Sequence, residues 1–131
     1  MFYLLFLGAY GIVYKGLNME TGQFLAAKLI RLSELQNKSS VGVENFCQEI
    51  ELYQKLEHDN IVPYLGAKQD EEDIYIYMEY MPGGSISSML KQYGSFQEKV
   101  IAKFTRQVVQ GLHYLHEQGV IHRDIKVFLV L

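Results

Sequence analysis

A lysine and a glutamate with apolar neighbours are the first candidates for chemistry in this sequence. Lys28 lies within the apolar run Phe24–Ile30, where on a strand it would share a face with Ala26 and Ile30. Glu49 lies in a helical pattern, and four apolar side chains fall within about 60° of it: Phe46, Leu52, Tyr53 and Leu56. A charge that is buried among apolar groups destabilises the fold unless an opposite charge lies beside it. The pattern therefore predicts a part-buried ion pair between a strand and a helix.

Two simpler interpretations of these two residues stay open. Lys28 can lie on an edge strand, from which its flexible stem reaches water. An ion pair with no role beyond structure also accounts for both charges, and replacement of such a pair by apolar residues is often neutral.

Two further segments carry groups suited to phosphate chemistry. Gly8 and Gly11 lie between apolar runs and would let backbone N–H groups approach a phosphate, although a plain hairpin also uses glycine in its turn. The segment His122–Lys126 offers a carboxylate base in Asp124, an ammonium in Lys126 and a guanidinium in Arg123. Taken alone, this second segment is typical of a solvated charged turn.

The composition limits the class of protein. The chain has 131 residues, of which 49% are hydrophobic and 21% charged, values typical of one globular domain rather than of a disordered chain. Its net charge of -3 argues against a general nucleic-acid-binding protein, which would carry a dense basic face. The apolar run Met1–Leu7 is shorter than the about 20 residues of a membrane span. The single cysteine excludes a disulfide framework and favours a reducing compartment.

Other site classes are disfavoured by the residues themselves. A metal site built from His113, His116 and His122 lacks a cysteine or carboxylate to complete the ligand set. Walker-type and dinucleotide-binding folds require a helix after the glycines, whereas the pattern here predicts a strand and contains no Gly-Lys-Ser/Thr.

The hydrophobic pattern of the first part predicts an α+β fold with about five strands. Strands joined by tight turns are antiparallel, so the sheet is expected to be antiparallel. The predicted segments are strand-like residues 2–30 with a turn at Asn18–Gly22, a polar stretch at Ser33–Gly42, a helix at Val43–Glu57, and strands at Ile61–Ala67 and Ile74–Tyr80.

The second part of the chain is predicted to be helical. Pro82–Gly84 interrupts the strand pattern and is the best candidate linker. Ser85 is expected to cap a short helix that ends at Gly94, and Ser95–Glu98 is expected to form a capping box that opens a long helix. Gly119 is expected to end that helix.

In their order and spacing, these features resemble the front half of a eukaryotic protein kinase domain over about Leu7 to Lys126. The resemblance implies a kinase N-lobe at 1–80 with a five-stranded antiparallel sheet and one helix, a hinge at 81–84, and a partial C-lobe at 85–131. It also implies ATP as the nucleotide, with Mg²⁺ as the metal of the full-length family.

The resemblance implies a nucleotide-binding role for several residues. Gly8, Gly11 and Val13 match the last two glycines and the valine of the loop that covers the nucleotide. Met78 falls at the gatekeeper position, and Glu79–Met81 resembles the hinge whose backbone holds the adenine edge.

The resemblance also implies catalytic roles. Ala26 and Lys28 stand where the family has the strand motif whose lysine contacts the α- and β-phosphates and pairs with a helix glutamate, here Glu49. Asp124 corresponds to the base that accepts the proton of the substrate hydroxyl. Lys126 is the residue that serine/threonine kinases, rather than tyrosine kinases, carry at that position.

The subfamily is expected to be that of the mitogen-activated protein kinase kinase kinases, with the related Ste20-like kinases as the alternative. The segments that carry this similarity are Glu79–Ile86, Glu98–Ile101, Thr105–Val108 and Gly111–Leu115. The similarity implies a cytoplasmic enzyme that transfers the γ-phosphate of ATP to serine or threonine of a downstream MAP kinase kinase, with neither nucleic acid nor a membrane as its partner.

The chain departs from the family pattern at both ends. Phe6 stands at the position of the first loop glycine, and Leu129 at that of the asparagine that binds magnesium. The sequence reaches Leu131 without the Asp-Phe-Gly that holds the second metal contact. These departures predict a truncated kinase fragment that is inactive by itself; the alternative is a non-catalytic, kinase-like module that binds nucleotide or regulatory partners.

Overall fold

The computed structural model of the chain describes the backbone of residues 2–8, 11–38 and 42–125. Within these ranges there are five strands and four helices. The strands are β1 (Phe2–Gly8), β2 (Gly11–Leu17), β3 (Phe24–Arg31), β4 (Tyr64–Gln69) and β5 (Asp73–Glu79), and the helices are α1 (Leu32–Lys38), α2 (Gly42–Tyr53), α3 (Ile86–Tyr93) and α4 (Glu98–Glu117). The strands form one antiparallel sheet in the order β1-β2-β3-β5-β4. The predicted α+β class with a five-stranded antiparallel sheet is confirmed.

The chain forms two compact units. The first unit extends to Tyr80 but lacks residues 57–62, and the second unit contains residues 57–62 together with the chain from Met81 onward. The assignment of lobes at 1–80 and 85–131 with a hinge at 81–84 stays a prediction. The clustering of 57–62 with the second unit has no counterpart in the sequence pattern, because it depends on contacts distant in sequence.

The core of the first unit is built on β3 and β5. Ile30 lies opposite Ile74 in the β3–β5 ladder, and these two side chains form the buried centre together with Ile76. Partly buried side chains from the helices and neighbouring strands pack against it: Leu32, Leu35, Phe46, Ile50, Tyr53, Tyr64 and Met78. One face of the sheet is therefore covered by apolar side chains of α1 and α2.

The sequence predicts only a polar stretch at Ser33–Gly42, whereas the structure has the helix α1 at Leu32–Lys38. The helix forms since Leu32 and Leu35, one turn apart, both pack on the isoleucine core. Tertiary packing has thus overridden a local composition that is mostly polar.

The helix α2 ends at Tyr53, four residues before the predicted end at Glu57. After Tyr53 the backbone tightens, because the N–H groups of Lys55 and Leu56 donate to carbonyls only three residues earlier, at 3.1 Å. Leu56 therefore does not belong to the regular helix, which matters for the face that α2 presents to the sheet.

The cap of α3 is a reciprocal pair of serines. As predicted, Ser85 is the N-cap and the helix ends before Gly94. Ser85 Oγ accepts the N–H of Ser88 at 3.1 Å, and Ser88 Oγ accepts the N–H of Ser85 at 2.8 Å. This arrangement is a capping box in which serine takes the place of the usual glutamate.

The start of α4 differs from the prediction. The N-cap is Gln97, which makes no side-chain cap hydrogen bond, so the capping box expected at Ser95–Glu98 is wrong. Ring packing lies at this end of the helix instead: the Phe96 and Phe104 rings meet edge-on at 5.5 Å.

The end of α4 agrees with the predicted stop at Gly119. The N–H of Gly119 donates to His116 O and that of Val120 donates to Leu115 O, at 3.0 and 2.8 Å. With Gly119 at a φ of 72°, this is a Schellman motif, which satisfies carbonyls that the last helical turn leaves unpaired.

The segment 57–62 is attached to α4 within the second unit. The N–H of Glu57 donates to the Tyr114 hydroxyl at 3.0 Å, and the His58 ring stacks on the Tyr114 ring at 4.9 Å. Gly111 allows this close approach, because a Cβ at that position would lie only 3.0 Å from the carbonyl oxygen of Asn60. No helix in the described part of the chain is long and apolar enough to cross a membrane.

We expect Ser85→Ala to lower the free energy of unfolding of the 131-residue chain by about 1 kcal/mol, because it removes the side-chain acceptor of the cap. Urea unfolding followed by far-ultraviolet circular dichroism measures the change. Ser87→Ala is the matched control, since Ser87 lies on the same short helix outside the cap hydrogen bonds. Equal effects of the two substitutions would contradict a specific role for the cap.

We also expect a pH effect from Tyr53, whose burial raises the pKa of its hydroxyl above the ordinary value of 10.0. The folded chain then keeps this proton at a pH where the unfolded chain releases it, so stability falls as pH rises from about 10 through the raised pKa. Tyr53→Phe should make the fall in urea midpoint above about pH 10 shallower. Tyr93→Phe, at a residue that is 71% exposed, should leave the fall unchanged, and identical pH profiles for all three proteins would refute the expectation.

Candidate nucleotide site and catalytic loop

The predicted nucleotide-binding side chains share one face of the sheet. Val13 lies opposite Lys28 in the β2–β3 ladder, while Ala26 lies opposite Met78 in the β3–β5 ladder. Side chains at directly opposed positions of antiparallel strands project from the same face, and residues two apart along a strand do so as well. Val13, Ala26, Lys28 and Met78 therefore lie on the face that also carries Ile30.

The burial of these residues gives the face two parts. The part around Ile30 is covered by α1 and α2, as described above. Ala26 is buried, with 8% of its surface exposed, while Val13, Lys28 and Met78 are half-buried. Lys28 stands between the two parts, opposite Ile76, and is half-buried among mostly apolar neighbours.

Glu49 is exposed, and the prediction that it lies among buried apolar side chains is wrong. The half-buried residues of α2 are centred roughly 100° around the helix from Glu49; they are Val43, Phe46, Cys47, Ile50 and Tyr53. The prediction had counted Leu52, which is 48% exposed, and Leu56, which lies beyond the helix, and had not counted Ile50. Glu49 thus borders the solvent side of α2, and its pairing with Lys28 stays a prediction.

The two loop glycines lie at the end of the β1–β2 hairpin. Gly8 pairs with Gly11 as the last pair of the ladder, and residues 9 and 10 lie outside the described residues. Phe6, at the position of the family's first loop glycine, pairs with Val13 just after an irregularity in the register. This geometry suits both a plain hairpin and a phosphate-covering loop, so the phosphate role stays a prediction.

The segment predicted as the hinge leaves the sheet at Glu79. The N–H of Glu79 donates to Pro63 O at 3.0 Å, which continues the edge of the sheet by one hydrogen bond. Met81 belongs to the second unit, where its carbonyl accepts the N–H of Gly84 at 3.2 Å. Glu79 is exposed and Met81 half-buried.

The segment with the predicted base follows the Schellman motif of α4. Asp124 is exposed, and its N–H donates to His122 Nδ1 at 3.3 Å. Arg123 between them has a φ of 62°, a left-handed conformation that costs roughly 1–2 kcal/mol for a residue with a Cβ. Such conformations are concentrated at functional sites. Lys126 lies outside the described residues, so its predicted role is untested.

The described residues contain no group of three or more histidines, cysteines, aspartates or glutamates that could hold a metal ion. His113 lies 3.5 Å from Glu117 across one turn of α4, and both side chains are largely exposed. These two groups make a contact on the exposed surface of α4.

Sequence analysis missed one group on the candidate face. The ammonium group of Lys15 lies 3.9 Å from the ring centre of Phe24 and 4.3 Å from that of Tyr80. The three residues are far apart in sequence, and only the register of β2, β3 and β5 brings them together. The alternation of side chains along each strand was the available signal, but it does not include the register that brings the three strands together.

Comparison with known proteins identifies the family. The family model described as "Protein kinase domain" matches residues 5–130. Mitogen-activated protein kinase kinase kinase A of Dictyostelium discoideum is 45% identical over 121 residues, which are 91% of this chain and 13% of that protein. Mitogen-activated protein kinase kinase kinase mkh1 of Cytospora mali is 45% identical over 129 residues, 95% of this chain and 7% of that protein.

A third relative, mitogen-activated protein kinase kinase kinase 3 of Arabidopsis thaliana, is 43% identical over 122 residues, 91% of this chain and 19% of the relative. The chain therefore spans less than a fifth of the length of each of these three relatives. The similarity covers the sheet face with Lys28 as well as the loop with Asp124. By its sequence and by the sheet that its first unit forms, the chain belongs to the protein kinase domain family and is most similar to mitogen-activated protein kinase kinase kinases.

Proposed function

We propose that the protein is a serine/threonine protein kinase that transfers the γ-phosphate of ATP to a downstream MAP kinase kinase. The observation that carries this proposal is the position of Lys28 on the face shared with Val13, Ala26 and Met78. An apolar surface that carries the ammonium group of Lys28 is complementary to a nucleotide, which has an apolar base at one end and phosphates at the other.

In this proposal the first unit binds the nucleotide. Ala26, Val13 and Met78 contact the adenine ring, whose polar edge is held by the backbone of Glu79. Ala26 suits this role because its small side chain leaves room above the sheet for a planar ligand. Backbone N–H groups donate to bound ligands without the entropy cost of fixing long side chains.

The phosphates are bound at the other end of the face. Lys28 donates to the α- and β-phosphates, and Glu49 orients the lysine when the helix and the strand pair. The backbone around Gly8 and Gly11 covers the phosphates, since glycine allows close approach. In this proposal the adenine ring lies at the Ala26 end of the face and the phosphates at the Lys28 end, which follows the order of these two residues along β3.

Asp124 is the base in the proposed reaction. Its carboxylate accepts the proton of the substrate hydroxyl as the oxygen attacks the γ-phosphorus, and the bond between that phosphorus and the β,γ-bridging oxygen breaks. Lys126 neutralises charge on the transferred group. Phosphoryl transfer depends mainly on positioning and on neutralisation of charge, so these two side chains act on the same step.

Magnesium does not fit the residues present in the 131-residue chain. The family binds it through an asparagine and an aspartate, and Leu129 stands at the position of the asparagine. A leucine side chain has no oxygen to offer a hard cation. We therefore derive no step of the reaction through a metal ion on this chain.

The choice of substrate and compartment rests on the similar proteins. The three relatives are all named as mitogen-activated protein kinase kinase kinases, which supports a downstream kinase as the protein substrate. A cytoplasmic location, with neither nucleic acid nor a membrane as partner, completes the proposal.

We expect Lys28→Met to weaken ATP binding by the 131-residue chain about ten- to hundredfold, because charge-assisted hydrogen bonds contribute about 1.5–3 kcal/mol. Isothermal titration without magnesium measures the dissociation constant. Lys68→Met is the matched control: Lys68 is opposite Tyr75 in the β4–β5 ladder and lies on the other face of the same sheet.

The control variant should bind ATP as the parent chain does. Absence of ATP binding in the parent chain, or an equal loss in both variants, would contradict the proposed nucleotide site.

Glu49→Gln tests the orienting role, with Glu44→Gln on the exposed side of α2 as its control.

We expect the 131-residue chain by itself to transfer no measurable phosphate, because Leu129 cannot ligate the metal that neutralises charge in the family's reaction. Radiolabelled ATP and a generic serine/threonine substrate provide the assay, with Lys28→Met as the background. Turnover that Lys28→Met abolishes would prove this expectation wrong.

The second candidate function is a non-catalytic module that binds nucleotide or regulatory partners. The replacement of the metal-binding asparagine by Leu129 is the observation that favours it. ATP binding that depends on Lys28, in a full-length protein without turnover, would support the module over the enzyme.

A further inference from the structure

Lys15, Phe24 and Tyr80 form a compact cluster of a cation and two aromatic rings on the first unit. The Lys15 ammonium lies 3.9 Å from the centre of the Phe24 ring and 4.3 Å from that of the Tyr80 ring. The two rings contact each other edge to face, with centres 6.2 Å apart and planes at 61°. Both distances from the ammonium fall well within the range of cation–π attraction.

The register of the sheet explains why these side chains meet. Leu25 pairs with Glu79 in the β3–β5 ladder, so Phe24 and Tyr80 are opposed one step beyond it. Lys15 lies opposite Ala26, two residues along β3 from Phe24. All three side chains therefore project from the face that carries Ala26 and Lys28.

Tyr80 is the first residue after the end of β5, beyond the β3–β5 ladder. β5 ends at Glu79, whose N–H still donates to Pro63 O. The Tyr80 ring is instead held through its side chain, by Phe24 from β3 and by Lys15 from β2. The cluster thus fixes the backbone at the point where it leaves the sheet.

We infer that Lys15, Phe24 and Tyr80 act as a clamp that positions the Glu79–Tyr80 backbone for recognition of the adenine ring. The inference rests on the proposed nucleotide site and adds three positioning residues to it, none of which touches the nucleotide in that proposal. Ala26 lies opposite both Lys15 and Met78, so the clamp borders the adenine end of the face. Lys28, two residues further along β3, serves the phosphate end and is independent of the clamp.

A stabilising surface contact with no effect on ligands is the competing explanation. It predicts that loss of the clamp lowers stability alone, or weakens every ligand equally. The clamp predicts a selective loss: ligands with an adenine ring weaken, and inorganic tripolyphosphate does not.

The test measures dissociation constants of adenosine and of inorganic tripolyphosphate for the 131-residue chain. Lys15→Met and Tyr80→Leu should weaken adenosine about two- to fivefold, the range expected for an exposed cation–π contact, and leave tripolyphosphate unchanged. Lys15→Arg retains a cation above the rings and Tyr80→Phe retains a ring. Both should bind adenosine within about twofold of the parent chain.

Amide hydrogen exchange provides a second readout that needs no ligand. The Tyr80 amide should exchange about two- to fivefold faster in Lys15→Met than in Lys15→Arg, while the amides of β4 remain unchanged. Should Lys15→Met fail to fold, the Tyr80→Leu and Tyr80→Phe pair decides the question in both measurements.

Equal weakening of adenosine and tripolyphosphate, or unchanged adenosine binding in Lys15→Met and Tyr80→Leu, would overturn the clamp while leaving a Lys28-dependent ATP site intact. A parent chain that binds neither ATP nor adenosine would instead overturn the proposed function. In that case exchange at Tyr80 alone decides whether the clamp holds the backbone, and equal exchange in the two Lys15 variants refutes it.

Discussion

One face of one sheet carries both the hydrophobic core and the side chains that we propose bind the nucleotide, and this constraint governs the rest of the first unit. The β3–β5 register sets Ile30 against Ile74 and Lys28 against Ile76 on the same side. Covering the whole face would bury the charge of Lys28, which is unfavourable unless an anion is buried beside it. Among the described residues, side chains of α1 and α2 pack on the isoleucine end, and the half-buried Lys28 lies next to that end.

Small side chains determine what the uncovered end can accept. Ala26 and Ala27 are adjacent in β3 and both buried, but they face opposite sides of the sheet. Ala27 lies between Tyr14 and Tyr77 in the strand register, and large neighbouring side chains account for its burial. Ala26 has Lys15 and Met78 as its neighbours, both of which are flexible and half-buried. A ligand can displace such side chains more readily than it can displace rigid rings.

The sequence predicted those features whose signal is local. The alternation in β3 identified the face of Lys28, and Ser85 and Gly119 marked helix ends correctly, because each depends on neighbours within one turn. The environment of Glu49 was predicted wrongly because the isoleucine core of the sheet determines which side of α2 is buried. That core lies outside the helix, so the helical pattern of the sequence carries no signal for it. The cluster of Lys15 with Phe24 and Tyr80 was not predicted for the same reason, because it depends on the register between strands.

The segment after α4, which carries the proposed base Asp124, shows a second kind of constraint, in which local geometry rather than packing sets the position of a charged group. The Schellman motif fixes the direction of the chain after α4, and the contact of His122 Nδ1 with the N–H of Asp124 closes the turn that follows. The left-handed Arg123 between them is unfavourable by itself, and it persists only where neighbouring interactions over-determine it. An exposed carboxylate on a turn of this kind loses less conformational freedom on binding a substrate than one on a free chain end. Strand register in one unit and a helix terminus in the other therefore position the two groups that the proposal uses, the ammonium of Lys28 and the carboxylate of Asp124.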